Sequence, residues 1–236
     1  MSFLFGWESE IAQGVVMTLW VAFTSLFFGL LLGLLVASMK LSRNAIYRWI
    51  GDGYTTVIRG TPELLIVFFV YFGGGALASL VLGLFTGDDE YVILPAFLSG
   101  IIALSIIFSG YAAESIRGAM QALPKGQIEA AYAFGMTPWR CFISVKLPLI
   151  WRYALPALGN NWLSLIKSTS LISLIGLEEL MRKSNVAIAA VTETTNTNHS
   201  FRFFMTAAAI YLCLTLINVV ILEYMEHRSK RGERAA

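Results

Sequence analysis

Charged residues are scarce in this chain. Only 14% of its 236 residues are charged, whereas 57% are hydrophobic, so there are too few charges to cover a soluble globular protein of this size. The net charge of +2 also lacks the positive excess that nucleic-acid binding requires, and we expect no nucleic-acid partner. The composition therefore predicts a protein that lies in a lipid bilayer.

The chain also has few cysteines and histidines, two of each. The two cysteines, Cys141 and Cys213, fall in a polar loop and in an apolar run, a placement that argues against a disulfide. The two histidines, His199 and His227, have no second ligand at the spacing of a metal site. The sequence also has no G-x-x-x-x-G-K-[ST] phosphate-binding loop, so any ATP hydrolysis has to come from a partner. We expect no catalytic residue, metal or cofactor bound by this chain.

Long apolar runs dominate what is present. Each of five runs can cross a bilayer, whose hydrocarbon layer takes roughly 20 apolar residues of helix. Unpaired strands cannot cross lipid, so the runs are predicted to be helices. The first has no preceding basic residues and no small-residue cleavage site, so we expect a retained helix rather than a removed signal peptide. The runs cover residues 11–39, 64–85, 92–113, 155–177 and 203–222.

Lysine and arginine are distributed unevenly between the runs, which predicts orientation. Thirteen fall on one side: Lys40, Arg43, Arg48, Arg59, Arg117, Lys125, Arg140, Lys146, Arg152, Arg228, Lys230, Arg231 and Arg234. The other side has only three cations, Arg182, Lys183 and Arg202, together with the acidic residues Asp88, Asp89 and Glu90. We expect the amino terminus outside and the carboxyl terminus in the cytoplasm. Residues 115–154 then form the largest cytoplasmic loop, and residues 225–236 form a basic cytoplasmic tail.

The cytoplasmic loop is predicted to contain two short helices. Pro124 suits the first position of one helix, and Gly135 suits the left-handed residue that ends it. Thr137 and Pro138 form a cap and first-turn pair for the second helix. One face of the first helix has the spacing of a helix that lies in a groove of another protein: Ile128, Ala131, Tyr132 and Gly135. Periodicity alone leaves open a helix pair that rests on the membrane surface.

The same loop contains a motif of fixed spacing. Seven residues make up the match: Glu129, Ala130, Ala131, Gly135, Val145, Leu147 and Pro148. The pattern resembles the EAA motif of bacterial ABC importer permeases, with valine where isoleucine is more usual. In that family the loop forms a coupling helix, which docks into a cleft on the cytoplasmic ATPase and transmits its closure to the membrane helices. The resemblance therefore implies that these residues couple the chain to an ATPase.

Other segments extend the resemblance over nearly the whole chain. They are residues 59–62 (Arg-Gly-Thr-Pro), 111–114, 117–118, 155–162 and 167–171. The Pro-Glu pair at 62–63 and the Gly-Asn-Asn-Trp run at 159–162 are most similar to permeases for histidine, arginine, lysine, ornithine or related opines. The resemblance implies an all-α integral membrane protein of the type I ABC importer permease fold, with one permease domain over residues 11–224, in the bacterial inner membrane.

The resemblance also implies the partners of such systems. Two cytoplasmic ABC ATPase subunits would use ATP and magnesium, and a second permease subunit, homologous or identical, would stand beside this chain in the bilayer. A periplasmic binding protein would deliver the amino-acid substrate.

Polar residues inside the fourth run recur at near-helical spacing: Asn160, Asn161, Ser164, Lys167 and Ser168. A lysine near the centre of a span costs about 2.5 to 3.5 kcal/mol, which roughly cancels the gain from the surrounding leucines and isoleucines. We interpret the stripe as the lining of a translocation pathway in which Lys167 meets a substrate carboxylate. The alternative is a structural lysine, paired with a carboxylate or with backbone carbonyls.

Two acidic residues are further pathway candidates. Glu63 and Glu114 would attract a cationic side chain such as guanidinium if they face the path. Alternatively, Glu63 occupies the favourable first turn of the second helix, and Glu114 pairs with Arg117, three residues further on.

Two other functions remain open from sequence alone. An ATP-independent channel or secondary transporter would also have polar intramembrane residues, but it leaves the coupling motif unexplained. A membrane enzyme in which Lys167 activates a serine has no triad or zinc signature to support it.

Overall fold

The structure, a computed structural model, describes residues 3–86 and 92–230. In chain order its helices are α1 (Glu8–Lys40), α2 (Ala45–Gly60), α3 (Glu63–Phe68), α4 (Gly74–Thr86), α5 (Ala96–Gln121), α6 (Lys125–Ala133), α7 (Pro138–Cys141), α8 (Leu147–Ser168), α9 (Leu180–Thr195) and α10 (Ser200–Lys230). Two π-helical turns follow α3 and α7, at Phe69–Gly73 and Phe142–Lys146, and a 3₁₀-helix, Thr169–Ile175, follows α8. Every regular element in the described ranges is helical, as predicted.

Five segments of the described chain are long and apolar enough to cross a bilayer: Glu8–Lys40, Glu63–Leu84, Ala96–Gln121, Pro138–Ile175 and Ser200–Ser229. They confirm the five predicted runs, and each extends beyond its predicted bounds on at least one side. The predicted outer-loop acids Asp88, Asp89 and Glu90 and the tail cations Arg231 and Arg234 lie outside the described residues.

Helix α5 is the centre of the bundle and packs against α1, α2, α3 and α8. Close approach of α1 depends on two glycines four residues apart. A Cβ on Gly29 would lie 2.8 Å from Cδ1 of Phe108, and a Cβ on Gly33 would lie 2.9 Å from Cβ of Ala112. Small residues at this spacing let membrane helices pack closely, so α1 lies directly against α5 at the centre of the bundle.

Helix α2 lies in a segment that the sequence analysis assigned to a loop. Its first turn is capped by Asn44, whose side chain accepts a hydrogen bond from the Ile46 N–H at 2.9 Å. The Tyr54 hydroxyl lies 2.6 Å from Oγ of Ser109, so α2 runs along α5 as far as the middle of α5. Arg59, in the last turn of α2, therefore lies beside a membrane helix. Its place between the first two apolar runs had predicted a loop position.

The chain is extended between α2 and α3. Thr61 has φ −98° and ψ 137°, and Pro62 has φ −55° and ψ 131°. A proline disfavours helical conformation in the residue before it, so α2 ends at Gly60. The break places Glu63 at the first position of α3, within the bundle.

Candidate translocation site and coupling loop

A cavity of about 200 Å³ lies where the break between α2 and α3 meets α5 and α8. Its lining is Glu63, Ile107, Phe108, Tyr111, Asn161, Ser164, Leu165 and Ser168. Four of the seven predicted pathway residues thus share one cavity: Glu63, Asn161, Ser164 and Ser168. The three on α8 are separated by three and four positions, so they lie on one helix face.

Glu63 is held across the cavity by α8. The Ser168 hydroxyl donates a hydrogen bond to Oε2 of Glu63 at 2.7 Å. Within residues 3–86 and 92–230, Glu63 forms no ion pair with a lysine or arginine. A carboxylate has about four acceptor sites, so Glu63 keeps acceptor capacity for a ligand. The first turn of α3 also favours its negative charge.

Asn161 links the cavity to α5. Its side-chain nitrogen donates to Oγ of Ser115 at 3.0 Å, and that hydroxyl donates to the Tyr111 carbonyl at 3.1 Å. The amide oxygen of Asn161 accepts no hydrogen bond from another described residue. Asn161 therefore braces α8 against α5 and still offers an acceptor at the cavity.

Lys167 and Asn160 do not line this cavity. Lys167 lies one position before Ser168, which turns it about 100° around the helix. It lines a second cavity of about 380 Å³ with Ser170, Met181, Phe204, Ala207, Ala208 and Tyr211. Among the described residues its ammonium makes no ion pair, so the structural pairing considered above is not seen there. Asn160 is exposed.

Glu114 lies in an ion cluster away from both cavities. Arg117 forms the predicted local pair with it, with Nη2 2.8 Å from Oε2. Lys40, whose side chain is 7% exposed, pairs with the other carboxylate oxygen and also with Asp52 at 3.0 Å. Its ammonium also donates to Oγ1 of Thr55 at 2.7 Å. The cluster joins α1, α2 and α5, and sequence reasoning missed Lys40 because it lies 74 residues from Glu114.

A second group missed by sequence reasoning surrounds Glu179, just before α9. This residue is fully buried. Its carboxylate accepts hydrogen bonds from the Thr18 hydroxyl at 3.4 Å, the Tyr211 hydroxyl at 3.1 Å and the Arg182 N–H at 2.9 Å. Burial raises the pKa of the Glu179 carboxyl above its ordinary value, although these hydrogen bonds lower it in part. The group ties α9 to α1 and α10, and nothing in the sequence pattern pointed to it.

The coupling loop has the predicted backbone at its turns. Gly135 follows α6 with φ +75°, and the N–H groups of Gly135 and Met136 donate to the carbonyls of Tyr132 and Ala131. This Schellman arrangement ends α6 as expected. The Thr137 hydroxyl caps α7, where Pro138 is the first residue. Pro124 is the residue before α6 rather than its first residue.

The exposed surface of the loop overlaps the predicted face in part, because Tyr132 and Gly135 are exposed. Ala131 is only 5% exposed, because α6 packs against α7 and the π-helical turn that follows it. Two aromatic residues instead project outward, Phe134 at 87% exposure and Trp139 at 71%.

The other motif residues have mixed exposure. Glu129, Ala130, Gly135, Leu147 and Pro148 are exposed, and Val145 is half-buried. The loop thus exposes the motif residues Glu129, Ala130 and Gly135 together with the aromatic pair, whereas Leu147 and Pro148 belong to the first turn of α8.

Comparison with known proteins identifies the family. Residues 29–231 match the model of the binding-protein-dependent transport system inner membrane component. The chain is 43% identical to the nopaline transport system permease protein of Agrobacterium fabrum, over 98% of this chain and 95% of the relative. It is 40% identical to the arginine ABC transporter permease protein of Haemophilus influenzae, over 96% of each chain.

A solved structure has the same fold. The crystal structure of an amino acid ABC transporter with histidines superposes with a TM-score of 0.75 and 33% identity, covering 93% of this chain and 94% of that one. The predicted fold of a type I ABC importer permease is thereby confirmed. The relatives are permease subunits, and ATP hydrolysis in such transporters belongs to a separate subunit. The chain belongs to the binding-protein-dependent transport system inner membrane components and is a multi-pass permease subunit of the inner membrane.

Proposed function

We propose that this chain is the permease subunit of an ATP-driven importer for a basic amino acid, such as arginine, histidine, lysine or ornithine, or for a related opine. The Glu63 carboxylate is the main support, because it faces a cavity inside the bundle without an ion-pair partner among the described residues. Relatives named for nopaline and arginine support the same substrate class.

The cavity has the chemistry to hold a cationic side chain. Ammonium and guanidinium groups carry only donors, and the cavity offers the Glu63 carboxylate with the oxygens of Asn161, Ser164 and Ser168. The remaining lining is apolar or aromatic, which strengthens a charge interaction by excluding water. Selection then depends on the side-chain charge of the substrate.

The cytoplasmic loop supports coupling to a separate ATPase. Its EAA residues Glu129, Ala130, Ala131 and Gly135 form a compact unit with Phe134 and Trp139 projecting outward. Exposed aromatic residues are typical anchors of protein interfaces. In this arrangement the amino terminus is outside, the loop contacts an ATPase dimer, and Val145, Leu147 and Pro148 connect the contact to α8. A second permease subunit and a periplasmic binding protein complete the importer.

The permease domain covers residues 11–224, and residues 225–236 form its cytoplasmic tail. The part of this tail that the structure describes continues α10 to Lys230.

Substitution of Glu63 tests the proposed substrate class. In Glu63→Gln, uptake of arginine should fall about tenfold or more relative to uptake of citrulline, in which a neutral urea replaces the guanidinium, because a charged hydrogen bond is lost. Uptake is measured in proteoliposomes with the complete transporter. Glu193→Gln, at an exposed position of α9, is the matched control. Equal loss for arginine and citrulline would remove Glu63 from substrate selection.

A further inference from the structure

Arg59 is an exposed cation that lies beside the middle of α5. A Cβ on Gly110 would lie 2.8 Å from Ile58 and 3.7 Å from Cγ of Arg59, so the end of α2 packs against α5 near Gly110. At 1.5 Å per residue, Gly110 lies within about 3 Å of the midpoint of α5. A charged side chain beside the middle of a membrane helix is costly to leave in lipid and indicates a functional position.

The guanidinium of Arg59 is not neutralised within residues 3–86 and 92–230. No ion pair or hydrogen bond engages it there. Its carbon Cζ instead lies 5.7 Å from the ring centroid of Tyr111, which lines the cavity of Glu63. A guanidinium has five N–H donors, so Arg59 holds donors beside that cavity.

The break between α2 and α3 keeps Arg59 from pairing with Glu63. In a continuous helix, residues four positions apart are neighbours, and this pair would neutralise itself. The extended residues Thr61 and Pro62 interrupt the helix between them. Both charges consequently remain available to a ligand, one positive and one negative.

We infer that Arg59 binds the carboxylate of the substrate while Glu63 binds its cationic side chain. This assignment rests on the proposed function above, in which the cargo is a basic amino acid. Arginine suits the task because its planar fork donates two parallel hydrogen bonds to a carboxylate. Lys167, the candidate from the sequence, lines the other cavity. Arg59 is not in the lining of the Glu63 cavity but lies over the ring of Tyr111, which is, so the geometry favours Arg59.

Three ligands separate the two charge contacts. Arginine has both groups, agmatine is arginine without its carboxylate, and citrulline has a neutral side chain. The complete transporter in nanodiscs is titrated with each ligand without the binding protein, and the ratios of dissociation constants are compared. In Arg59→Gln the preference for arginine over agmatine should fall about tenfold to hundredfold, and the preference for arginine over citrulline should persist.

Two further variants exclude a structural explanation. Arg59→Lys keeps the charge and loses the fork, so its preference for arginine over agmatine should be intermediate. Arg48→Gln removes an arginine of the same helix that donates to loop carbonyls, and it should leave both preferences unchanged.

Several outcomes would overturn the assignment. These are an unmodified transporter that does not prefer arginine over agmatine, an unchanged preference in Arg59→Gln, or a preference that only Lys167→Gln abolishes. Failure of the proposed substrate class gives another result. In that case Glu63→Gln leaves the preference for arginine over citrulline intact, whatever Arg59→Gln does.

Discussion

Replacement of Lys40 by methionine perturbs the ion cluster that joins α1, α2 and α5. The side chain of Lys40 is 7% exposed and pairs with Glu114, which is 19% exposed, and with Asp52. Methionine preserves most of the aliphatic volume and removes the charge. Thr55 then loses its charged donor, and Glu114 keeps only Arg117.

The expected cost follows from the exposure of each partner. The charged hydrogen bond to Glu114 is worth about 1.5–3 kcal/mol, whereas the pair with Asp52, which is 63% exposed, adds at most about 1 kcal/mol. Arg117 remains 2.8 Å from Glu114, so Glu114 is not left without a partner. The cost therefore stays below the destabilisation of about 3–5 kcal/mol that follows when a buried charge loses its partner. We expect Lys40→Met to lose about 2–3 kcal/mol, which lowers the Tm by roughly 4–12 °C.

A buried cysteine can report the unfolding of the protein in this measurement of Tm. Cys141 is buried and Cys213 is exposed, so in a Cys213→Ala background a thiol-reactive fluorophore labels Cys141 when the protein unfolds. The double variant Lys40→Met with Glu114→Gln should show a coupling energy of at least about 1 kcal/mol. Arg43→Met removes an exposed charge and should leave the Tm unchanged. A Tm for Lys40→Met equal to that of Arg43→Met would refute the reasoning.

Thermal unfolding checks two further predictions, the first by the same thiol labelling and the second by circular dichroism, because a thiol reacts slowly at acidic pH. Gly33→Ala should destabilise the protein by about 1–3 kcal/mol, because the new Cβ would lie 2.9 Å from Ala112, whereas Gly53→Ala, in open space, should stabilise α2 by up to about 1 kcal/mol; equal effects would contradict the packing. The raised pKa of Glu179 stabilises the fold below the ordinary glutamate pKa, and this contribution is lost as the pH rises through the raised value. The Tm of the unmodified protein minus the Tm of Glu179→Gln should therefore increase as the pH falls. A difference that stays constant with pH would contradict the raised pKa of Glu179.

The membrane helices and the loop turns could be predicted from sequence because their causes are local. Lipid requires a long apolar helix wherever the chain crosses it, so each span follows from its own residues. Gly135 and the Thr137 cap likewise follow from backbone preferences at single positions. Their structures match these expectations.

The contacts between helices could not be predicted in the same way. Lys40 meets Glu114 across 74 residues, and Thr18 meets Glu179 across 161. Helix α2 turns small and polar residues such as Gly51 and Thr55 inward and leaves apolar ones such as Trp49 exposed. Its apolar periodicity therefore marks the face that does not pack, and a periodic pattern alone could not identify the packed face.

The candidate site could be predicted only in part. Asn161, Ser164 and Ser168 share a cavity, but the predicted stripe was wider than one helix face and so included Lys167 and Asn160.

Gly135 provides the most direct test of the claim that the cytoplasmic loop couples an ATPase to the membrane helices. Its φ of +75° is strained for any β-branched residue, so Gly135→Val should distort the turn after α6. In proteoliposomes with the complete transporter, transport per ATP hydrolysed should fall about tenfold or more, consistent with about 1–3 kcal/mol of local strain. Gly126→Val, in open space in the first turn of α6, should couple normally. Unchanged transport per ATP in Gly135→Val, with the ATPase still bound, would contradict the account.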